Sequence, residues 1–374
     1  MIRCRSCIHG IMSRDMSEDQ KYQRCMVMAG GGFRFGYYLG MHAAAEDSGM
    51  APDIILASCG GSLAAAIIHA LPDAAQRKQW LASQEMYQFL CGMHAAAHAR
   101  PLPVLGAALL RGLSRGRAAR VPDVFGDYMF ELPGPLPLPV PGLQPRAALA
   151  IVASKLLFGR EQVGQARSGR AIFAEVVLGP ERACRLLHGW QAPASLPAWS
   201  CGAVAPGLLL DSAMPVADAV RSSITDMLYF ACHAHAGEHY MGGVIDLFPI
   251  EIAHGLARHV TMEAKPPFGQ ALAIPALRKV LGIDGNARLK HVHAQHAHAW
   301  VDTSDISSAL RGRGMRKRID WLGNRIRLVM PPSLAEYAQD VEAQWQYGYQ
   351  RGIEAYASPG LRLRHATRFN RGSE

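Results

Sequence analysis

The sequence predicts an α/β fold whose central sheet is rich in parallel strands and covered by helices on both faces. Three observations predict it. Residues 54–68 begin as a β-branched apolar run, break at Gly60-Gly61-Ser62 and resume as an Ala-rich helix. Residues 25–47 repeat the plan: a short apolar segment runs into Gly30-Gly31-Gly32, and a helix follows from 37 to 47. A third glycine pair, Gly242-Gly243, again separates a short strand from a helix at 250–258. A strand apolar along its whole length is buried on both faces, and a helix arriving straight after it is the crossover of a parallel sheet.

The 54–68 stretch carries the strongest chemical signal. A sharp strand-to-helix turn lifts one side chain above the carboxyl edge of the sheet and aims the first N–H groups of the helix at whatever that side chain attacks. The pattern Gly60-x-Ser62-x-Ala64 makes Ser62 the candidate nucleophile, with Leu63 supplying an N–H just after it. The plainer reading is a strand-to-helix connection with Ser62 as a helix cap. The loop Gly30-Gly31-Gly32-Phe33-Arg34-Phe35-Gly36 permits left-handed angles and exposes consecutive N–H groups, which suits an anion, either a nucleotide phosphate or a transient oxyanion. Dinucleotide binding is the weaker reading, because the Gly-x-Gly-x-x-Gly spacing is missing and the next strand ends in Ser58 and Cys59 rather than an acidic residue.

Composition narrows the class. A length of 374 residues suits one large α/β domain with an appendage, and 49% hydrophobic residues supply its core. The net charge of +9 comes mainly from arginines, with local clusters at 111–120 and 311–318, either a solvated basic face or a footprint for anionic lipid headgroups or nucleic acid. No aromatics are interleaved as a nucleic-acid platform would need. The eight cysteines are scattered, Cys25 and Cys59 in strand-like apolar contexts, as expected of reduced thiols in a cytoplasmic protein able to sit at the inner membrane surface. Residues 1–24 mix charges without an apolar segment, so no ordinary secretory signal is expected, and the uncharged run 186–210 contains three prolines and is no membrane span.

Taken together, these motifs resemble the patatin-like phospholipase family over residues 25–258. The family's Gly-Gly-Gly-x-Arg-Gly oxyanion loop matches at Gly30, Gly31, Gly32 and Arg34; Ser62 falls in its nucleophile elbow with Gly60 before it; and Met241-Gly242-Gly243 falls where the family writes Asp-Gly-Gly. Ala219 to Ile224, and Asp246 with Pro249, resemble its flanking segments. Three departures stand out: Phe35 replaces the last glycine of the loop, with Gly36 directly after; Ala64 replaces the elbow's second glycine; and Met241 replaces the catalytic Asp. The resemblance implies a Ser-Asp dyad, but a thioether cannot accept the serine proton. Asp246, Glu238, His239, His235 and His233 are the residues nearby in sequence that could supply a base.

The implied activity is hydrolysis of a lipid acyl ester by Ser62, with the oxyanion held by the glycine loop and the N–H after the nucleophile. A patatin-like protein that binds acyl chains without turnover is the alternative, and a nucleotide-binding α/β protein the second. No cofactor or metal is expected. Cys4-x-x-Cys7 lacks a second pair, and His291, His293, His296 and His298, read as a strand, split between two faces. The domain plan is an N-terminal extension 1–24, the acyl-hydrolase domain 25–258 with a Pro-rich apolar insertion at about 100–146 that would act as a lid or membrane contact, and a C-terminal extension 259–374 packed on or following it. Residues 331–356 have helix composition, and the Arg-rich tail 361–374 is expected to be mobile.

Overall fold

The computed structural model describes residues 20–30, 32–113, 118–142, 145–320 and 325–358. Cys4, Cys7 and the Arg-rich tail lie outside them. The sheet grows from Tyr22–Met28 (β1) and Ile54–Ser58 (β2), apolar runs buried along nearly their whole length and paired in parallel from Cys25↔Ile54 to Met28↔Ala57. Gly36–Asp47 (α1) follows β1 and Gly60–Ala70 (α2) follows β2, so both predicted strand-turn-helix units form. The chain continues through Ala74–Leu81 (α3), Gln84–Cys91 (α4), His94–Ala95 (β3), Pro101–Leu113 (α5), Tyr128–Glu131 (β4), Ala148–Leu156 (β5), Phe173–Leu178 (β6), Glu181–Leu187 (α6), Leu209–Asp211 (β7) and Val216–Ile224 (α7). Leu228–Phe230 (β8), His233–His235 (β9), Glu238–Met241 (β10), Ile250–Leu256 (α8) and Ala257–Ala264 (β11) come next. Ala273–Val280 (α9), Gly285–Ala294 (α10), Ala299–Asp302 (β12), Ile306–Ala309 (α11), Arg316–Asp320 (β13), Arg325–Val329 (β14) and Leu334–Ala357 (α12) complete it.

Among the described residues the main sheet runs β12-β11-β1-β2-β5-β10-β9, with β6 also on β5 and β7 on β6. The five strands from β12 to β5 are mutually parallel, and the remaining pairings are antiparallel except β6 with β7. The expected fold class is therefore the one found. One detail of register positions the site. β2 ends at Ser58, opposite Val152 of β5, and two residues further along β5 Ser154 pairs with Met241 of β10. β10 thus takes over the edge that β2 leaves, and Gly242 arrives beside the turn after β2.

The structure corrects the expected boundaries. β1 starts at Tyr22, so the domain reaches ahead of residue 25, and residue 258 falls inside β11, which lies parallel to β1. The segment beyond 258 is not an appendage but supplies β11, β12 and the long helix α12. Residues 291–294 belong to helix α10 and not to a strand; Asp284 caps that helix by accepting from the amides of Asn286 and Ala287. The insertion divides. Its first part is helix α5, with Leu102, Leu109 and Leu110 exposed, while 132–142 is extended and without ladder partners, as its prolines dictate.

Helix α12 crosses α1 at glycines. A side chain on Gly348 would meet the Tyr37 carbonyl at 1.9 Å, and one on Gly40 the Trp345 carbonyl at 2.0 Å, so the two backbones touch. At the same crossing the buried Gln344 side chain accepts from the Gly36 amide at 3.0 Å, filling one of the partnerless N–H positions at the start of α1. Substituting Gly348→Val should force the helices apart and cost about 3 kcal/mol or more in urea unfolding. An unchanged unfolding midpoint would show that the crossing is not tight.

Candidate active site

Strand β2 delivers the chain to Cys59, whose φ of 48° and ψ of −132° are sterically disfavoured for any residue with a side chain. Gly60 is already the first residue of α2. A strained residue between a parallel strand and the following helix is the geometry of a nucleophile elbow. The neighbours make room for it. A Cβ on Gly61 would lie 2.2 Å from the Met28 carbonyl, one on Gly30 2.9 Å from the Cys59 Cβ, and one on Gly243 2.7 Å from the Cys59 amide nitrogen. The Cys59 amide donates to Ser223 Oγ at 2.8 Å, and that hydroxyl donates onward to the Val152 carbonyl at 2.7 Å, tying the elbow to α7 and β5.

The elbow frame is therefore Ala57-x-Cys59-x-Gly61, three residues upstream of the frame predicted from sequence. Ser62 does not sit at the turn. It lies within the first turn of α2, fully buried, with both its amide and its Oγ donating to the Cys59 carbonyl, at 3.0 and 2.6 Å. Its hydroxyl fastens the elbow from behind. Ala64 is buried in the same helix, and Leu63 contributes its side chain to the cavity wall instead of an N–H after a nucleophile.

The carboxylate is also elsewhere. Met241 closes β10 with its side chain buried in the core, which is where the β5 register puts it. Asp226, on the turn after α7, faces the elbow instead, and its Oδ2 accepts from Cys59 Sγ at 2.5 Å. Its Oδ1 accepts from the Val244 amide at 3.3 Å, and the Gly242 amide donates to the Thr225 carbonyl at 2.8 Å. Gly242 is obligatory here, since a Cβ on it would stand 1.9 Å from Asp226 Oδ1. The glycine pair read from the sequence thus makes room for a carboxylate supplied from another loop. Burial pushes the Asp226 acid up to about 7, against which the contacts with Cys59 and the Val244 amide pull only weakly. Burial, and then the Asp226 charge, push the Cys59 thiol well above its ordinary range, so the proton rests on sulfur.

The bases considered from sequence are committed to other partners. Asp246 is buried and accepts from Arg288 at 2.8 Å; Glu238 pairs with Lys155 at 3.0 Å; His239 packs edge-on to Phe125; His233 and His235 meet Asp218. None of the five lines the cavity over Cys59.

That cavity is about 340 Å³, and its lining includes Phe33, Phe89, Met93, Phe230 and Leu247 together with Cys59, Asp226 and Lys317. Gly30, Gly32 and Gly60 border it as well; Gly32 has a φ of 67°, the left-handed angle the sequence anticipated. Gly31 lies outside the described residues. Arg34 is half-buried and not part of the wall. A buried polar group beneath the loop holds it in place: Lys265 donates to the Gly30 carbonyl at 2.6 Å and pairs with Glu263, which accepts from Tyr37, Tyr38 and Thr303, while Tyr38 also donates to the Ala29 carbonyl.

Residues 26–161 match the family model described as Patatin-like phospholipase. Over that stretch the chain is similar to the patatin-like phospholipases. The matched stretch includes the glycine loop and the elbow but ends before Asp226. A crystal structure of VipD from Legionella pneumophila is a similar solved structure, 13% identical, with a TM-score of 0.33, covering 90% of this chain and 67% of that one. No curated protein sequence matches the chain significantly. The match suggests the lipid acyl hydrolase family, and the residues described above are the candidate machinery.

Two signals for the site were present in the sequence. Gly61 stands two residues after Cys59, where the elbow needs a small residue, and Asp226 stands two residues after the end of the Ala219 to Ile224 segment. Because the half-buried Asp226 carboxyl is held well above its ordinary range, its ionisation is also a stability term. The unfolded carboxyl ionises near 3.8 and the folded one only near about 7, so the stability that Asp226 contributes is fully present below the lower value and is lost as pH rises through that interval. The amide of Asp226→Asn does not titrate. The stability of this variant relative to wild type should therefore improve by about 2 kcal/mol between about pH 5 and about pH 8, read from urea unfolding at both. A pH-independent difference would mean that the carboxyl ionises normally.

Proposed function

We propose that the chain is a lipid acyl hydrolase that attacks its substrate with the Cys59 sulfur and uses Asp226 as the general base. The observation that carries this reading is the 2.5 Å contact between Sγ and Oδ2 at a strained elbow residue that lines an apolar cavity. With the thiol pushed up, sulfur does not ionise beforehand; its proton passes to Asp226 as the S–C bond to the acyl carbonyl forms. The resulting oxyanion is stabilised by the Gly60 amide at the start of α2 and by amides of the glycine loop, each such donor typically contributing about 3 kcal/mol. Protonated Asp226 then gives its proton to the departing alkoxide, leaving a thioester on Cys59. Water attacks the thioester, Asp226 accepts the proton of that water, and the thiol is restored as the acid leaves.

The cavity wall supports an acyl chain as the part recognised, and Lys317, which also donates to Tyr229 at 3.2 Å, would meet an anionic headgroup at the rim. Among the described residues no helix is long and apolar enough to cross a membrane. We read the exposed leucines of α5, in a chain of net charge +9, as the surface that meets an anionic bilayer. Sedimentation with anionic vesicles that falls at high salt and in Leu109→Asp, Leu110→Asp protein is the check; equal binding to neutral vesicles counts against it.

On a short-chain aryl ester, Cys59→Ala and Asp226→Asn should each lose at least about a hundredfold in kcat/KM, while Ser62→Ala should stay within about threefold once folded. Wild-type kcat/KM should fall about tenfold per pH unit below about 7 and level off above it, because the base must be ionised. Full activity in Cys59→Ala would end this reading.

A further inference from the structure

A second cluster lies at the sheet edge, apart from the cavity. β9 and β10 form a hairpin joined by Ala236 and Gly237, both at positive φ, 51° and 80°, the two-residue turn that matches strand twist. Its register pairs Tyr240 with His233 and Glu238 with His235, so the two histidines, two residues apart, point to one face. Helix α7 packs on that face and presents Asp218. His233 Nε2 lies 3.0 Å and His235 Nδ1 3.5 Å from the same carboxylate oxygen, Asp218 Oδ1, and the three ligand atoms lie within 4.8 Å of one another.

We propose that Asp218, His233 and His235 bind a divalent cation of the Zn²⁺ class. Ligand atoms about 2.0–2.2 Å from a tetrahedral zinc are roughly 3.4 Å apart, so the observed separations need only small rotations of the side chains. Two imidazoles and one carboxylate suit Zn²⁺ and its late first-row neighbours; Ca²⁺ and Mg²⁺ would demand an all-oxygen shell. The side chains are 18 to 33% exposed, so water can reach the fourth position, and Glu238, across the ladder from His235, is held by Lys155. The site joins α7 to the hairpin. The far ends of these two elements carry Asp226 and Gly242, so a metal here would brace the frame of the carboxylate without touching the cavity. This inference does not depend on the proposed chemistry of Cys59.

The test uses the full chain, stripped of metal with a chelator and titrated with Zn²⁺ by calorimetry, alongside Asp218→Asn and the double variant His233→Ala, His235→Ala. We expect one Zn²⁺ per chain, an affinity at least about tenfold lower in both variants, and a thermal midpoint that Zn²⁺ raises in wild type but not in Asp218→Asn. Asp218→Asn keeps the shape of the helix and serves if the double variant misfolds. Co²⁺ in place of Zn²⁺ should show the visible bands of a low-coordinate site in wild type alone. Absence of stoichiometric binding, or equal binding by wild type and Asp218→Asn, would overturn the proposal.

Discussion

The backbone at Cys59 holds a conformation that costs about 1–3 kcal/mol for a residue with a side chain, and the surrounding structure is shaped to keep it there. The Ser223 hydroxyl fixes its amide, Ser62 grips its carbonyl from within α2, Gly30 and Gly243 leave the space it needs, and Gly61 lets α2 approach the Met28 carbonyl of β1. These contacts come from β1, α2, α7 and the loop after β10, elements far apart in sequence. Relaxing the turn would disturb all of them together, so the strain is held by the fold and Cys59 is kept in the cavity lining.

A patatin-like frame built around a thiol changes the demands on its partner. A serine hydroxyl is a poor acid and needs its base throughout the attack, whereas a thiol gives up its proton more readily even when burial pushes it up. In the proposed mechanism the carboxylate comes from the turn after α7 and not from the end of β10, the place the resemblance implies, while Gly242 and Gly243 keep the positions read from the sequence. They keep their steric purpose: Gly242 makes room for Asp226, and Gly243 for Cys59. Met241 is free to be a core residue because the carboxylate reaches the elbow from the other side.

Much of the fold was legible because apolar runs, glycine breaks and Ala-rich helices follow one another locally, and β1, α1, β2 and α2 fall where that pattern puts them. The frame of the elbow was not. A search for a serine settles on Ser62, yet Gly60 and Gly61 belong to the helix, and the strained position is the last residue before it. The place of Asp226 just after the Ala219 to Ile224 segment is a local mark, but its meeting with Cys59 depends on how α7 lies against β5 and on β10 replacing β2 at that edge. The integration of the segment beyond 258 was hidden for the same reason: β11 joins β1 only through long-range pairing, and the α12 to α1 crossing depends on glycines three hundred residues apart in the chain, Gly40 and Gly348.

The central claim is that Cys59 carries the acyl group. Reacting the protein with a short-chain aryl ester, quenching in acid within the first turnover, and mapping the mass increment on its peptides tests this most directly. The account predicts one acyl group on the peptide containing Cys59, released by neutral hydroxylamine as a thioester is, and accumulating more when water attack is slowed. An acyl group on Ser62, or turnover with no acyl group on Cys59 at any quench time, would contradict it.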